Sequence, residues 1–416
     1  MRALALTHEA QGRSPEEIIA TALATVREHL GMEIAYLSEF VAGRSVFRAV
    51  DAPGLEHLIA AGDSRDLNDV YCQHILDGRL PELIPDTGDE PLCLAMPITA
   101  ATPIGSHVSV PIRRRDGTPY GMFCCLSPRP NTTLTDRDLS VMRIFADLAA
   151  EQVNGALSAR DTQAAKVAVI REVLETEAIR IVYQPIVDLR SGTAQGVEAL
   201  SRFDIDPYRT PDLWFADAAS VGLGVDLELA AIGAALVALR DLPDHIYLSF
   251  NAGPATIVSG RLGEVLEGQP LRRLLLEMTE HDQVDAEEPL LEELRLWRGR
   301  GMKIAIDDAG AGYSGLQQII RIAPDILKLD RSLVTGIHAD PARRSLAAAM
   351  VHFATETGAK IVAEGIECEE ESRALTSLGV HLGQGWHFGR PGDVHAALAA
   401  RRPGHDRRDG VISRTA

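Results

Sequence analysis

Apolar and polar positions recur along this chain in two rhythms that change over near residue 177. In the first stretch Ile18, Ala22, Leu23, Val26 and Leu30 repeat at helical spacing. Ser14-Pro15-Glu16-Glu17 opens that helix with a capping residue, a proline at the first helical position and a capping-box glutamate, and Gly31 stops it. Met32–Phe40 and Ser45–Asp51 alternate as strands do, and a loop-rich middle follows. Ser106–Arg113 and Tyr120–Leu126 then alternate on either side of Arg115-Asp116-Gly117-Thr118, which predicts a hairpin. Thr135 and Asp138 cap a further helix with Leu139, Met142, Phe145 and Leu148 on one side. From Asp136 to Glu177 there is no proline and only one glycine, Gly155, so one long connecting helix is expected.

The second rhythm consists of short β-branched and aliphatic runs separated by helix-like segments. The runs are Ile179–Val187, Val197–Phe203, Ile246–Asn251, Leu274–Met278, Lys303–Ile306, Ile326–Leu329, Lys360–Ala363 and His381–Phe388. Eight continuous apolar strands alternating with helices predict a parallel sheet buried on both faces, closed as a (β/α)8-type barrel.

At 416 residues the chain has room for two domains. Its formal net charge is −18, and residues 1–160 hold 14 Arg, no Lys and 21 acids. Neither half is basic, which argues against binding a nucleic-acid polymer or a membrane surface. The most apolar run, Ala230–Leu239, is too short to span a bilayer, and the apolar stretch at the N-terminus is too short for a signal peptide. Five cysteines without CxxC spacing read as reduced thiols of a cytoplasmic protein. Cys124 and Cys125, adjacent on a strand, should face opposite sides, and Tyr71-Cys72-Gln73-His74 reads as ordinary structure in preference to a metal or chromophore site. Only four of the 41 basic residues are Lys, so Lys328 in an apolar strand is informative: a compact ammonium fits where a planar guanidinium does not.

The strands end on chemistry. Val197 leads to Glu198, Phe250 to Asn251, Leu276 to Glu277, Ile306 to Asp307-Asp308, Leu327 to Lys328 and Ala363 to Glu364. Strand C-termini of such a barrel converge on one rim, so these side chains should face one another. One strand-end acid could be a helix cap, but six such ends together are a site. Carboxylates so grouped repel unless cations sit among them. Oxygen donors without a histidine cluster favour Mg²⁺ or Mn²⁺ over zinc, and two such ions suit phosphoester hydrolysis.

The pattern of residues 13–153, best seen in IGSHVSVPIRRRDGTPYGMFCC, resembles a GAF domain, an α+β fold with a central antiparallel sheet. Farther on, Tyr183-Gln184-Pro185-Ile186, Glu198-Ala199-Leu200-Ser201-Arg202, Glu277-Met278-Thr279-Glu280 and Asp307-Asp308 resemble an EAL domain. So do Lys328-Leu329-Asp330, Glu364-Gly365-Ile366-Glu367 and the run from Gln384 to Pro391. This resemblance implies a modified (β/α)8 TIM-like barrel and a phosphodiesterase that opens cyclic di-GMP to pGpG with Mg²⁺ or Mn²⁺, two ions in all. A catalytically silent cyclic di-GMP receptor is the alternative. By the same resemblance Glu198, Asn251, Glu277 and Asp307 hold the first metal, and Asp307, Asp308 and Glu364 the second. Lys328 orients the nucleophilic water, Glu364 is a candidate base, and Gln184, Arg202 and Gln384 face the substrate. Glu280 holds the loop after Asp308. There the family's usual DDFGTGYSSL has Ala309 and Ala311 in place of Phe and Thr, a departure that bears on dimer coupling and rate while leaving the metal set intact. The implied organisation is a GAF-like sensor at 1–153, a connecting helix at 154–175, the EAL domain at 176–400 and a disordered tail at 401–416. A homodimer and an unidentified small-molecule ligand of the GAF domain are also implied.

Overall fold

The computed structural model describes residues 13–206, 208–279, 287–309 and 315–399, with backbone alone at 279, 287, 308, 309, 315 and 316. Glu280, the loop 310–314 and the tail after 400 lie outside the described residues. The chain divides into two compact units, Met1–Gln163 and Ala164–Ala416.

In the first unit helix α1 (Pro15–Leu30) begins with the full capping box, in which Ser14 and Glu17 each accept the other's backbone N–H. It ends at Gly31, whose φ of +60° is the left-handed conformation that glycine adopts without steric cost. Strands β1 (Ile34–Val41), β2 (Arg44–Asp51), β3 (Ser64–Asp66), β4 (Leu83–Ile84), β5 (Ser106–Arg113) and β6 (Pro119–Ser127) form one antiparallel sheet. Their spatial order is β3-β2-β1-β6-β5-β4. Helix α2 (Tyr71–Leu76) lies in the loop-rich segment between β3 and β4. The alternation of β6 sends its two cysteines to opposite sides. Cys125 packs with Leu23, Val26, Met142 and Phe145, whereas Cys124 packs with Tyr36, Cys72 and Met122. Helix α3 runs from Asp136 to Glu175.

The second unit is a closed eight-stranded barrel. Its strands are β7 (Ile179–Asp188), β8 (Ala194–Phe203), β9 (Tyr247–Asn251), β10 (Leu274–Thr279), β11 (Lys303–Ala309), β12 (Ile326–Leu329), β13 (Lys360–Ala363) and β14 (Leu382–Gly383), with β14 pairing back to β7. Helices α4 (Pro211–Ser220), α5 (Gly224–Leu236), α6 (Glu287–Gly299), α7 (Gly315–Ile322), α8 (Pro341–Thr357) and α9 (Glu369–Leu378) occupy the connections. Leu248, Leu276, Ile304, Leu327 and Ile361 belong to the large core, while Ile186, Leu275, Ala305, Ile326 and Val362 form a second, smaller cluster. The strands are therefore apolar toward both faces, which explains their unbroken hydrophobic runs.

An all-parallel sheet, expected from the runs, fails at β7, which is antiparallel to both β8 and β14. The reason is local. No helix separates β7 from β8. The chain reverses over Leu189–Thr193, where Asp188 Oδ1 accepts the N–H groups of Arg190 and Ser191, and so short a link can join only antiparallel strands. The last strand is also shorter than expected from His381–Phe388. Beyond Gly383 the backbone bonds to the segment after β13 instead: Ile366 N–H donates to the Gln384 carbonyl at 3.0 Å and His387 N–H to the Ile366 carbonyl at 3.0 Å. A Cβ at Gly385 would stand 2.1 Å from the Ile366 carbonyl oxygen, so only glycine permits that approach.

Candidate active site

The barrel register places the chemistry-bearing residues side by side. Gln184 pairs with Glu198 across β7 and β8, Glu277 with Asn251 across β10 and β9, and Asp307 lies opposite Thr279 across β11 and β10. Lys328 projects from β12, and Glu364 and Gln384 directly follow β13 and β14.

Lys328 is the centre of the arrangement, with a side chain only 1 % exposed. Its Nζ donates to Glu277 Oε2 at 2.7 Å and to Asp307 Oδ2 at 3.2 Å. It also lies 2.5 Å from Glu364 Oε1, outside hydrogen-bond geometry, and 3.6 Å from Glu198 Oε1. Burial alone would lower the Lys328 pKa, but Glu198, Glu277, Glu364 and Asp307 together hold it well above the usual lysine range. Lys328 is thus a fixed cation. Two of the carboxylates are disfavoured as anions. Burial drives Glu277 well above the usual carboxylate range despite Lys328, and Glu364 is pushed up to about 8 for the same reason, with Asp307 and Glu198 adding repulsion.

A second web holds Glu198. Gln384 Nε2 donates to Glu198 Oε2 at 2.6 Å and to Gln184 Oε1 at 2.9 Å, and Gln184 Nε2 donates in turn to the Gly389 carbonyl at 3.1 Å. Asn251 Nδ2 reaches Glu198 Oε1 at 3.4 Å. The structure also contributes a residue that sequence reasoning passed over: the buried Ser249 hydroxyl donates to Glu277 Oε1. Its signal was available, because Ser249 stands two positions before Asn251 in β9 and so shares its face.

Arg202 is not part of this web. Its Nη1 donates to the Ser201 carbonyl at 2.7 Å, and it lines a cavity of about 440 Å³ that Asn251 and Glu277 also line. Asp308 is placed by its backbone in β11, its side chain lying outside the described residues, as does Glu280.

Four carboxylates around one ammonium put more acidic than basic groups in a buried rim, and the raised Glu277 and Glu364 report that crowding. Donor atoms of Glu198, Glu277 and Asp307 all lie within 4.8 Å of one another, and buried Gln384 Oε1 has no hydrogen-bond partner. A set of oxygen donors with surplus negative charge and an unspent acceptor fits a hard divalent cation such as Mg²⁺ or Mn²⁺.

The EAL domain family model matches residues 167–391, and a GAF domain model matches residues 12–153. The chain belongs to the EAL domain family, with a GAF domain ahead of the barrel. It is 30% identical over 235 residues to the probable cyclic di-GMP phosphodiesterase PdeG of Escherichia coli, a match covering 54% of this chain and 46% of that one. It is also 30% identical over 230 residues to the cyclic di-GMP phosphodiesterase RocR of Pseudomonas aeruginosa, covering 50% and 56%. Among solved structures it is similar to the PaMucR phosphodiesterase in complex with c-di-GMP. There the identity is 28%, the TM-score 0.51, and the coverage 56% of this chain and 98% of that one. The chain spans about half the length of the two curated relatives. Among the described residues no helix is long and apolar enough to cross a membrane.

Proposed function

We propose that this chain hydrolyses one phosphodiester bond of cyclic di-GMP to give linear pGpG, and that its GAF domain regulates the reaction. The observation that carries this reading is the buried rim in which Glu198, Glu277, Asp307 and Glu364 surround Lys328. Family membership and the named activity of PdeG and RocR support the substrate.

Glu198, Asn251, Glu277 and Asp307 would hold one divalent ion, and Asp307, Asp308 and Glu364 a second; when bound, these ions supply charge for the developing phosphorane and acidify water. The residues of the chain do the rest. Lys328, kept protonated by its four acidic neighbours, positions Glu277, Asp307 and Glu364 and presents a cation to the attacking water. Glu364, 2.5 Å from Lys328 Nζ, is the candidate base for that water's proton. The water oxygen forms the new bond to phosphorus as the bond to the 3′-oxygen breaks, and the proton taken up by Glu364 passes to that leaving oxygen. Arg202 supplies a planar fork suited to the non-bridging phosphate oxygens. Gln184 and Gln384 hold Glu198 in place on the substrate side.

In the GAF domain a small cavity of about 40 Å³ is lined by Tyr36, Phe47, Arg65, Tyr71 and His107, and buried His107 Nδ1 has no hydrogen-bond partner. A small-molecule effector is proposed for this domain, and one larger than a water or two would have to open that cavity. A homodimer is the proposed assembly, and the unbridged cysteines suit a reducing cytoplasm.

The test is to incubate the full chain with cyclic di-GMP and Mg²⁺ or Mn²⁺ and to separate the products. Appearance of pGpG that EDTA abolishes supports the enzyme. Tight binding of cyclic di-GMP without any product overturns it and leaves a receptor.

A further inference from the structure

A second group of metal-ligating side chains stands apart from the rim, at the start of α9. Donor atoms of His338, Cys368 and Glu371 all lie within 4.8 Å of one another, with His338 exposed, Cys368 half-buried and Glu371 buried. The donors of a tetrahedral zinc site lie about 2.0–2.3 Å from the ion, hence roughly 3.3–3.8 Å from each other, so only a small contraction separates this group from a ligand set.

Each ligand is oriented from behind. Cys368 and Glu371 are three residues apart at the first turn of α9, so they share one face. Glu371 Oε1 accepts the Gly336 N–H at 2.8 Å and Oε2 accepts the Glu367 N–H at 2.9 Å. Oε2 also accepts the Cys368 N–H at 3.4 Å, so these donors lock the carboxylate rotamer and leave Oε1, with one donor, the oxygen free to ligate. His338 sits in a turn closed by the Ala339 N–H on the Gly336 carbonyl at 3.0 Å, and Arg344 Nη1 grips the His338 carbonyl at 2.8 Å. The turn is therefore fixed while the imidazole stays accessible.

The first turn of α9 carries Glu369, Glu370 and Glu371; Arg373 lies 3.6 Å from Glu369 and 3.4 Å from Glu370, whereas Glu371 is held by backbone N–H groups. Glu370 is engaged by Arg373 Nη2 at 3.4 Å, so water is the natural fourth ligand. The nearby Arg343 guanidinium is occupied by Asp340 at 3.4 Å and by the Thr335 carbonyl.

We propose that His338, Cys368 and Glu371 form a site for a thiophilic divalent cation of the Zn²⁺ class. One thiolate, one imidazole and one carboxylate suit zinc and disfavour magnesium. Binding replaces the Cys368 proton, which is released to solvent. An ion there would fasten the turn after β12 to the segment Glu364–Cys368, which carries a rim carboxylate at its other end. The site does not depend on the hydrolase reading.

The experiment uses the full chain and Co²⁺ as the spectroscopic probe. Thiolate ligation gives an intense near-ultraviolet charge-transfer band that the oxygen donors of the catalytic rim cannot give, so the two sites are read separately. The proposal expects one equivalent of Co²⁺ to develop the band, Zn²⁺ to displace it, Cys368→Ser to abolish it and His338→Ala to weaken Co²⁺ binding at least tenfold. Circular dichroism confirms that both variants stay folded. Absence of the band, its survival in Cys368→Ser, or unchanged affinity in His338→Ala overturns the site.

Discussion

Both units of the chain bury polar side chains, and they do so with different chemistry. In the sheet unit the buried polar residues are Ser38, Ser45, Thr87, Ser106, His107, Ser109 and Ser127, all of which can be neutral. Neighbours satisfy several of them: Ser106 Oγ donates to the Arg129 carbonyl at 3.0 Å, and the Ser109 hydroxyl meets Cys124 Sγ at 3.1 Å. In the barrel the buried set includes Glu198, Glu277 and Lys328. A neutral hydroxyl is buried cheaply once it has one partner, whereas an ionised carboxylate needs a counter-charge. One lysine cannot serve four carboxylates. The barrel therefore carries an electrostatic demand that a divalent cation would meet, and among the described residues the buried polar set of the sheet unit holds no carboxylate.

That contrast can be broken in graded steps. The largest effect on turnover is expected from Asp307→Asn, which removes charge where both proposed metal sets meet. Cation stabilisation of the transition state is worth several kcal/mol, so hydrolysis should fall by about 10³-fold with the barrel still folded. Steady-state rates with a circular dichroism control measure it, and a rate within tenfold of the parent removes Asp307 from the metal set.

Lys328→Met should cost roughly 10²-fold, the scale for losing one preorganised charge in a site. It should also change stability in a telling way. Four carboxylates without their ammonium repel, so thermal unfolding in EDTA should begin well below that of the parent, and Mg²⁺ should recover most of the difference. Equal stability in EDTA would show that the lysine does not balance the rim.

Gln384→Ala tests the web behind Glu198 and should lower turnover by roughly tenfold, as loss of a group orienting a metal ligand does. A loss expressed only as a higher KM would place Gln384 at the substrate instead.

The smallest effect on turnover is expected from Leu23→Ala in the sheet unit. Leu23 is fully buried among Val26, Met142 and Phe145, so its truncation should destabilise that unit by about 2–5 kcal/mol. Calorimetry should show one transition lowered and the barrel transition unmoved; a shift of both would deny the independence of the two cores.

Much of the fold was legible because local rules and global architecture agree. Ser14 with Glu17 marked the first helix, the hairpin turn at Asp116-Gly117 marked β5 and β6, and eight apolar runs marked the barrel. The convergence of strand ends was legible too, since acids after apolar strands have few other reasons to recur, and the rarity of lysine amid arginines pointed to Lys328. The direction of β7 was not, because the apolar runs stop at Val187 and resume at Val197, and only the structure extends both strands until a five-residue link is left. Nor was the brevity of β14, which depends on the backbone approach at Gly385. Ser249 was hidden by its ordinariness, and His338 lies 30 positions from Cys368, a proximity that only the packing of α9 against the turn after β12 creates. The loop bearing Ala309 and Ala311 stands as a sequence departure alone, since residues 310–314 lie outside the described structure.

The central claim is that the barrel rim is a cation-demanding catalytic site. It is tested most directly by titrating the ion-free full chain with Mn²⁺ while following bound ion by electron paramagnetic resonance and cyclic di-GMP hydrolysis in the same samples. The account predicts no turnover without ion, a rise in rate that tracks occupancy, and joint loss of rim binding and hydrolysis in Glu277→Ala. Hydrolysis at full rate in the ion-free chain, or rim occupancy unchanged in Glu277→Ala, would contradict it.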